Sequence, residues 1–481
     1  MSERVDLIIH GHFYQPPRED PWLEEIEGEP SAAPFNNWNE RIHSECYRPN
    51  ANSRILTETE KIVAIDNNYE HLSFNFGPTL LSWMDKYDPD TLAQIVKADA
   101  VSREQRSGHG NAIAQGYNHI IMPLANARDK ETQIVWGARD FEHRFSRPPE
   151  AMWMPETAVD LKTLAELVRL GLEFVILSPY QASSVQSEEG EWRDVEDGSI
   201  DTSCAYRVET DAGPISVFFY HGPISAEISF MHLLRSGETF MNRLIESING
   251  SSMLNMATDG EIYGHHEKFG DMCIAYAFSE MSDKDSEFAK QFRLTNYGEF
   301  LERNPPTLEA KIKKGGSSWS CEHGIERWQS NCGCRNDTSR PPFQQWRESL
   351  RVGLNDLRDQ LQEIFEERGS ETIKDVYGAR NDYINVILSG FDEERKKDFA
   401  SRWFKVRDRE EESWRLLESQ RNGMLMFTSC GWFFDDLGGI EPGQLMAYAS
   451  RAIDAARPYI DEKAEAQFVK TLAEGSLIRK R

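Results

Sequence analysis

Three short stretches carry residue types that could do chemistry: His10-Gly11-His12, Trp153-Met154-Pro155-Glu156 and Asp259-Gly260-Glu261. Each closes an apolar run with strand character. Alternate side chains of a strand share a face, so His10 and His12 are expected on one side, as are Asp259 and Glu261. Two imidazoles turned toward a core are costly unless they are used. A polar substrate or a metal ion would use them. Two carboxyls held close push their pKa values apart, which lets an acid and a base coexist at neutral pH. Glu156 ends a different strand, so it can face Asp259 across a common mouth. Carboxyls about 5–5.5 Å apart suit double displacement at an anomeric carbon, one as nucleophile and the other as acid and base. Tyr14, Trp153, Tyr263 and Trp432 are of the type that stacks on sugar faces. Plainer readings stand beside these: one packed and one solvated histidine, an Asx-type turn at Asp259-Gly260, a solvated Glu156 beside a buried tryptophan.

These side chains need a scaffold that gathers strand ends. Apolar runs at 5–10, 72–77, 150–156, 173–178, 215–220 and 253–261 read as buried strands. Amphipathic stretches such as 160–170 and 55–68 read as helices between them. Such a rhythm makes βα units and a parallel sheet, and a closed β/α barrel places its chemistry at the C-terminal strand ends. The polar residues at those ends are His10, His12, Asn75, Glu156, Ser178, His221, Asp259 and Glu261. From about Pro341 the pattern becomes helical. The expected division is a barrel domain over 1–300, a Cys-containing loop near the site over 301–340, and a helical domain over 341–481 that contributes to the cleft. The acidic 185–200 stretch reads as a loop, as does 315–324.

The chain has 481 residues, of which 39% are hydrophobic and 11% aromatic, enough for two or three structural units with sizeable cores. With 80 acidic against 54 basic residues the net charge is −26, which argues against nucleic acid as a partner. No run of 18 apolar residues is present, and the apolar start at 5–9 is too short for a secretory signal. Seven scattered cysteines point to reduced thiols and a cytoplasmic location. Cys321, His323, Cys332 and Cys334 put four soft ligands within 14 residues, at a spacing that fits no standard knuckle. They read as buried or loop thiols, with zinc as the alternative. Gly-x-Ser-x-Gly, Walker and dinucleotide signatures are absent from the sequence.

Taken together, the segments resemble glycoside hydrolase family 57, retaining enzymes active on α-glucans. The resemblance runs from residue 5 to about 450. It rests on His10-Gly11-His12-Phe13-Tyr14-Gln15-Pro16, on His119, Pro123 and Leu124, and on Trp153-Met154-Pro155-Glu156. Asp259-Gly260-Glu261 with Gly264-His265, and the Ser429, Trp432 and Asp435 region, complete it. Asn111 stands where the family's second region usually carries a glutamate. The wording of the last region is similar to a branch with an appended helical domain of unknown function. The resemblance implies an α/β fold: an incomplete seven-stranded (β/α)7 barrel followed by an α-helical C-terminal domain, with no metal and no cofactor. It implies Glu156 as nucleophile and Asp259 as acid/base. It implies His10, His12, Gln15, His119, Trp153, Glu261, His265 and Trp432 as substrate-binding residues. It leaves open hydrolysis, chain transfer or branching of an α-glucan or oligosaccharide. Two other classes stay in view: a metal-dependent polysaccharide deacetylase using His10, His12 and Asp259, and a non-catalytic glucan-binding protein.

Overall fold

Seven parallel strands gather the polar residues picked out above. They are β1 (Val5–Phe13), β2 (Ser73–Phe76), β3 (Ala114–Gln115), β4 (Met152–Trp153), β5 (Phe174–Leu177), β6 (Gly213–Phe219) and β7 (Met253–Asp259). The structure, a computed structural model, describes residues 4–57, 59–187, 189–248, 250–339 and 344–477. β1 pairs with β7, setting His12 opposite Asp259, and with β2, setting His12 opposite Asn75. The round continues through a Phe74–Ala112 bridge to β3, the β3–β4 pair, an Ala151–Phe174 bridge to β5, and the β5–β6 pair. No ladder joins β6 to β7. The ring closes there through His221 N–H donating to the Asn255 carbonyl at 2.7 Å and Asn255 Nδ2 donating to the Phe219 carbonyl at 3.2 Å. The result is the incomplete (β/α)7 barrel.

A parallel sheet covered on both faces needs strands that are apolar on both, and all nine residues of β1 are buried. Ile8, His10 and His12 share the inward face. Below the histidines, Ile8, Trp153, Phe174, Ile176, Phe218 and Ala257 fill the barrel. Leu7 and Ile9, on the other face, join the larger core beneath the outer helices. Those helices include Pro89–Gln105, Ala127–Phe145, Leu161–Arg169 and Gly237–Glu246, started by Asp88, Asn126, Asp160 and Ser236 accepting from first-turn N–H groups. His221 likewise caps Gly222–Phe230 with its ring nitrogen.

Two local expectations are corrected. The 55–68 stretch is an antiparallel hairpin, Ser53–Leu56 with Ile62–Asp66, and no helix. Its β-branched Ile55, Ile62, Val63 and Ile65 suit extended backbone, and Glu60 turns the chain with φ 60°. The acidic 185–200 loop contains part of a second hairpin, Ala182–Gln186 with Trp192–Asp194. The C-terminal region is helical: Trp346–Thr372, Glu393–Trp403, Glu410–Leu425, Ile440–Ala456 and Ala464–Leu477 are its main helices. The expected boundary at Pro341 lies outside the described residues, as do residues 478–481. Among the described residues no helix is long and apolar enough to cross a membrane.

At the end of β7 the chain must pass close to a ring. A Cβ on Gly260 would lie 2.2 Å from Phe13, which is fully buried and stacked on Phe76 at 4.8 Å. Gly260→Ala should therefore cost about 1–3 kcal/mol in denaturant unfolding through displacement of Phe13. An unchanged midpoint would show that the ring yields freely.

Candidate active site

Glu156 owes its position to an unusual turn. After β4 the chain enters a single turn, Pro155–Thr157, in which Glu156 has φ 57° and Thr157 φ 49°. Two successive left-handed residues that are not glycine cost roughly 1–2 kcal/mol each. Neighbouring bonds hold them: Thr157 Oγ1 donates to Gln181 Oε1 at 2.7 Å, Gln181 Nε2 to the Thr157 carbonyl at 2.8 Å, and Trp319 N–H to the Glu156 carbonyl at 3.1 Å. The Glu156 carboxylate then receives two donors on Oε2, Trp319 Nε1 at 3.0 Å and Ser320 Oγ at 2.5 Å. Burial raises its pKa, and these two donors together with the Arg327 charge oppose the rise.

Asp259, the last residue of β7, sits beside His12. Solvent reaches it, yet protein crowds it closely. Burial comes first in raising its pKa well above the usual carboxyl range, followed by the charges of Glu261 and Glu156. The two carboxyls thus feel each other, and only Glu156 is held by donors that favour its ionised form.

Glu261 does not share a strand face with Asp259, because the chain leaves β7 at Gly260 into a helical turn. Its buried Oε1 accepts Tyr14 N–H at 2.9 Å and Tyr47 Oη–H at 2.6 Å. It braces the segment after β1 instead of facing the mouth, and burial pushes its pKa up to about 7.

The histidines form a connected array. His10 bonds Ser73 Oγ and Asn75 Oδ1, both at 3.0 Å. Asn75 Nδ2 donates to His12 Nδ1 at 2.9 Å and to Gln115 Oε1 at 2.7 Å. His12 Nε2 meets His119 Nε2 at 3.3 Å, and His119 Nδ1 meets Ser429 Oγ at 2.6 Å. With the Asn75 amide in this orientation, His12 accepts at Nδ1 and donates at Nε2, and His119 donates at Nδ1. Burial holds all three rings neutral, His10 and His119 with pKa values lowered to about 3.

Several expected substrate contacts are corrected by this packing. His10 is fully buried with both nitrogens occupied, so it supports the site from beneath. Trp153 is 1% exposed and lies flat against His10 and His12 at 4.9 and 5.0 Å, forming a floor. Trp432 is fully buried in the helical region, with Nε1 donating to the Arg347 carbonyl at 3.1 Å and Arg351 over its ring at 4.0 Å. It cannot stack on a ligand. Gln15 turns inward to the Tyr14 carbonyl and Arg18. His265 is partly exposed and bonded to Glu45 at 2.5 Å. The rings at the mouth are Tyr14, stacked on His119 at 3.7 Å, and Trp319, edge-on to Trp153 at 5.1 Å. Asn111 is buried away from the mouth, donating to the Tyr69 carbonyl and accepting from Asn296.

Trp319, Ser320 and Gln115 were not picked out from the sequence. Gln115 ends a strand of two residues, and its buried Nε2 has no partner. Trp319 and Ser320 stand just before Cys321, and that cysteine pattern was the available signal. Among the described residues the side chains gathered well enough to hold a metal are Cys321, His323, Cys332 and Cys334. They are therefore not independent loop thiols. The His10, His12 and Asp259 set of the deacetylase alternative does not converge, because His10 and His12 spend their nitrogens on Ser73, Asn75 and His119.

A model of glycosyl hydrolase family 57 matches residues 8–313. The chain belongs to this family. A domain of unknown function (DUF3536) matches residues 343–476. Comparison with curated protein sequences finds no match. The fold of this family 57 chain is similar to that of an exo-type maltose-forming amylase from Pyrococcus sp. ST04, at TM-score 0.74 and 15% identity over 97% of this chain and 82% of that one. It is also similar to a 4-α-glucanotransferase from Thermococcus litoralis, at 0.55 and 16% over 96% of this chain and 61% of that one. A branching enzyme from Pyrococcus horikoshii matches at 0.57 and 13%, over 98% and 94%.

The raised pKa of Glu261 ties stability to pH. Below about pH 4.5 both folded and unfolded chains hold the proton. As pH climbs from about 4.5 through about 7 only the folded chain retains it, so stability falls across that window. Glu261→Gln keeps an acceptor for Tyr14 and Tyr47 and removes the ionisation. Its unfolding free energy should fall less steeply with pH over this range than that of the wild type; parallel slopes would refute the shift.

Proposed function

We propose that this family 57 protein is a retaining enzyme acting on α-glucans, with Glu156 as nucleophile and Asp259 as acid/base. The observation that carries the reading is the unequal surroundings of two carboxyls at one barrel mouth. Trp319, Ser320 and Arg327 oppose the upward push of burial on Glu156, whereas at Asp259 burial and then the charges of Glu261 and Glu156 all favour the protonated form. With Oε2 held by the two donors, Oε1 attacks the anomeric carbon as Asp259 passes its proton to the departing glycosidic oxygen. The resulting ester removes the negative charge of Glu156, which lowers the pKa of Asp259. The aspartate then takes a proton from water or from an acceptor sugar, and that oxygen displaces Glu156. The names of the similar structures, an amylase, a glucanotransferase and a branching enzyme, support an α-glucan as substrate. The neutral histidine array supports the reading further, since it offers oriented dipoles without a competing charge.

Turnover of maltooligosaccharides and glycogen should fall about a thousandfold or more in Glu156→Gln and in Asp259→Asn. An α-maltosyl fluoride, whose leaving group needs no proton, should restore the first step in Asp259→Asn and not in Glu156→Gln. Near-normal turnover in either variant would sink the assignment, and glucan binding without turnover by the wild type would favour the non-catalytic reading. Chain lengths and linkages of the products separate hydrolysis, transfer and branching.

A second measurement reads Glu156 alone. Ser320→Ala removes a donor to its ionised form, so the acid limb of the kcat/KM profile should move to higher pH. A limb that stays in place would separate Ser320 from the titrating group.

A further inference from the structure

Fourteen residues beyond Ser320, at Cys334, the chain has curled back on itself. Cys321, His323, Cys332 and Cys334 bring their ligand atoms within 4.8 Å of one another. Ligands at the corners of a tetrahedral zinc ion, with Zn–S about 2.3 Å and Zn–N about 2.0–2.1 Å, stand about 3.8 Å apart for two sulfurs and about 3.5–3.6 Å for sulfur and nitrogen. Here Cys321 Sγ and Cys334 Sγ are 3.8 Å apart, and Cys334 Sγ lies 3.5 Å from His323 Nδ1. Those sulfurs are far outside the roughly 2.05 Å of a disulfide.

The surroundings match a metal centre as well. Gly333, with φ 88°, makes the tight bend that lets Cys332 and Cys334 reach one point, and Gly324, with φ 84°, turns the chain after His323. Buried Arg347 donates to the Cys334 carbonyl at 2.8 Å. Its positive charge, shared with Asp435 at 3.6 Å, lies beside a ligand set that would carry a single negative charge with zinc, three thiolates and one neutral imidazole.

We propose that Cys321, His323, Cys332 and Cys334 bind a structural zinc ion that fixes the loop carrying Trp319 and Ser320 against Glu156. Four protein ligands close the coordination shell, so the ion takes no part in the reaction. Binding exchanges three thiol protons for one Zn²⁺ and requires no redox partner. The ion would lock Cys321 in place, and with it the two donors immediately before it. Arg327 continues the tie, donating to the Ser320 carbonyl at 3.1 Å and to the Phe433 carbonyl at 2.7 Å. The metal site stands independently of the reaction; its effect on turnover rests on the role of Glu156 proposed above.

Metal analysis of the full-length protein purified without chelator should give about one zinc per chain. Cobalt substitution should produce the intense visible bands of a tetrahedral thiolate site. Cys334→Ser should lose more than nine-tenths of the zinc, and His323→Ala should bind it more weakly. Chelation of the wild type should leave its far-ultraviolet circular dichroism unchanged, lower kcat about 10- to 100-fold, and be reversed by added zinc. A wild-type protein with no stoichiometric metal, with three freely titrating thiols here, with a Cys321–Cys334 disulfide, or with another metal would overturn the zinc assignment. Stoichiometric zinc whose removal leaves kcat unchanged would overturn the clamping role. Neither result bears on whether Glu156→Gln is inactive, so the two proposals fail separately.

Discussion

A carboxylate taken out of bulk water has to find donors within the protein, and Glu156 shows how much of a chain that can recruit. Neither of its donors comes from its own strand or from the next; both come from a loop more than 160 residues later. Their reach requires the Pro155–Thr157 turn to run left-handed, and the turn requires Gln181 as a second anchor. The loop must then be secured at its far side, where Arg327 holds Ser320 to the helical region. Desolvation of one group thereby ties the barrel, the intervening loop and the C-terminal helices into one unit.

The histidines solve a related problem with opposite electrostatics. Three imidazoles close together would repel one another if charged, and burial keeps them neutral. Neutral rings are directional, and Asn75 sets that direction for His10 and His12 together. The array ends on Ser429, whose own N–H returns to the His119 carbonyl at 2.9 Å. The helical region therefore reaches the centre of the barrel through a main-chain and a side-chain bond at the same residue.

The barrel was legible because strands buried on both faces must be apolar runs, and six of the seven stood out in that way. β3 did not, since two residues make no pattern and its pairing is set by neighbours. The 55–68 hairpin misled for another reason: its apolar residues fit a helical period, while their branching and the turn at Glu60 decide for extended chain. Glu156 and Asp259 were legible as strand-end carboxyls. Residue type, however, does not say which way an aromatic side chain faces: Trp153 and Trp432 have the character of platforms, yet one is a floor and the other is core. Trp319 and Ser320 were illegible as donors because hydrogen bonds between remote segments leave no periodicity. The four metal-type ligands were visible as residue types, but a spacing that fits no standard knuckle concealed their convergence.

The two family matches stop at residue 313 and resume at residue 343. The interval between them holds Trp319 and Ser320, and so the immediate environment of Glu156. Descent and structural dependence therefore partition this molecule differently. A chimera that joined the barrel of one relative to the helices of another at these borders would inherit both recognisable modules and orphan the carboxylate between them. The donors that set the ionisation of Glu156 thus lie in a stretch that neither family model covers.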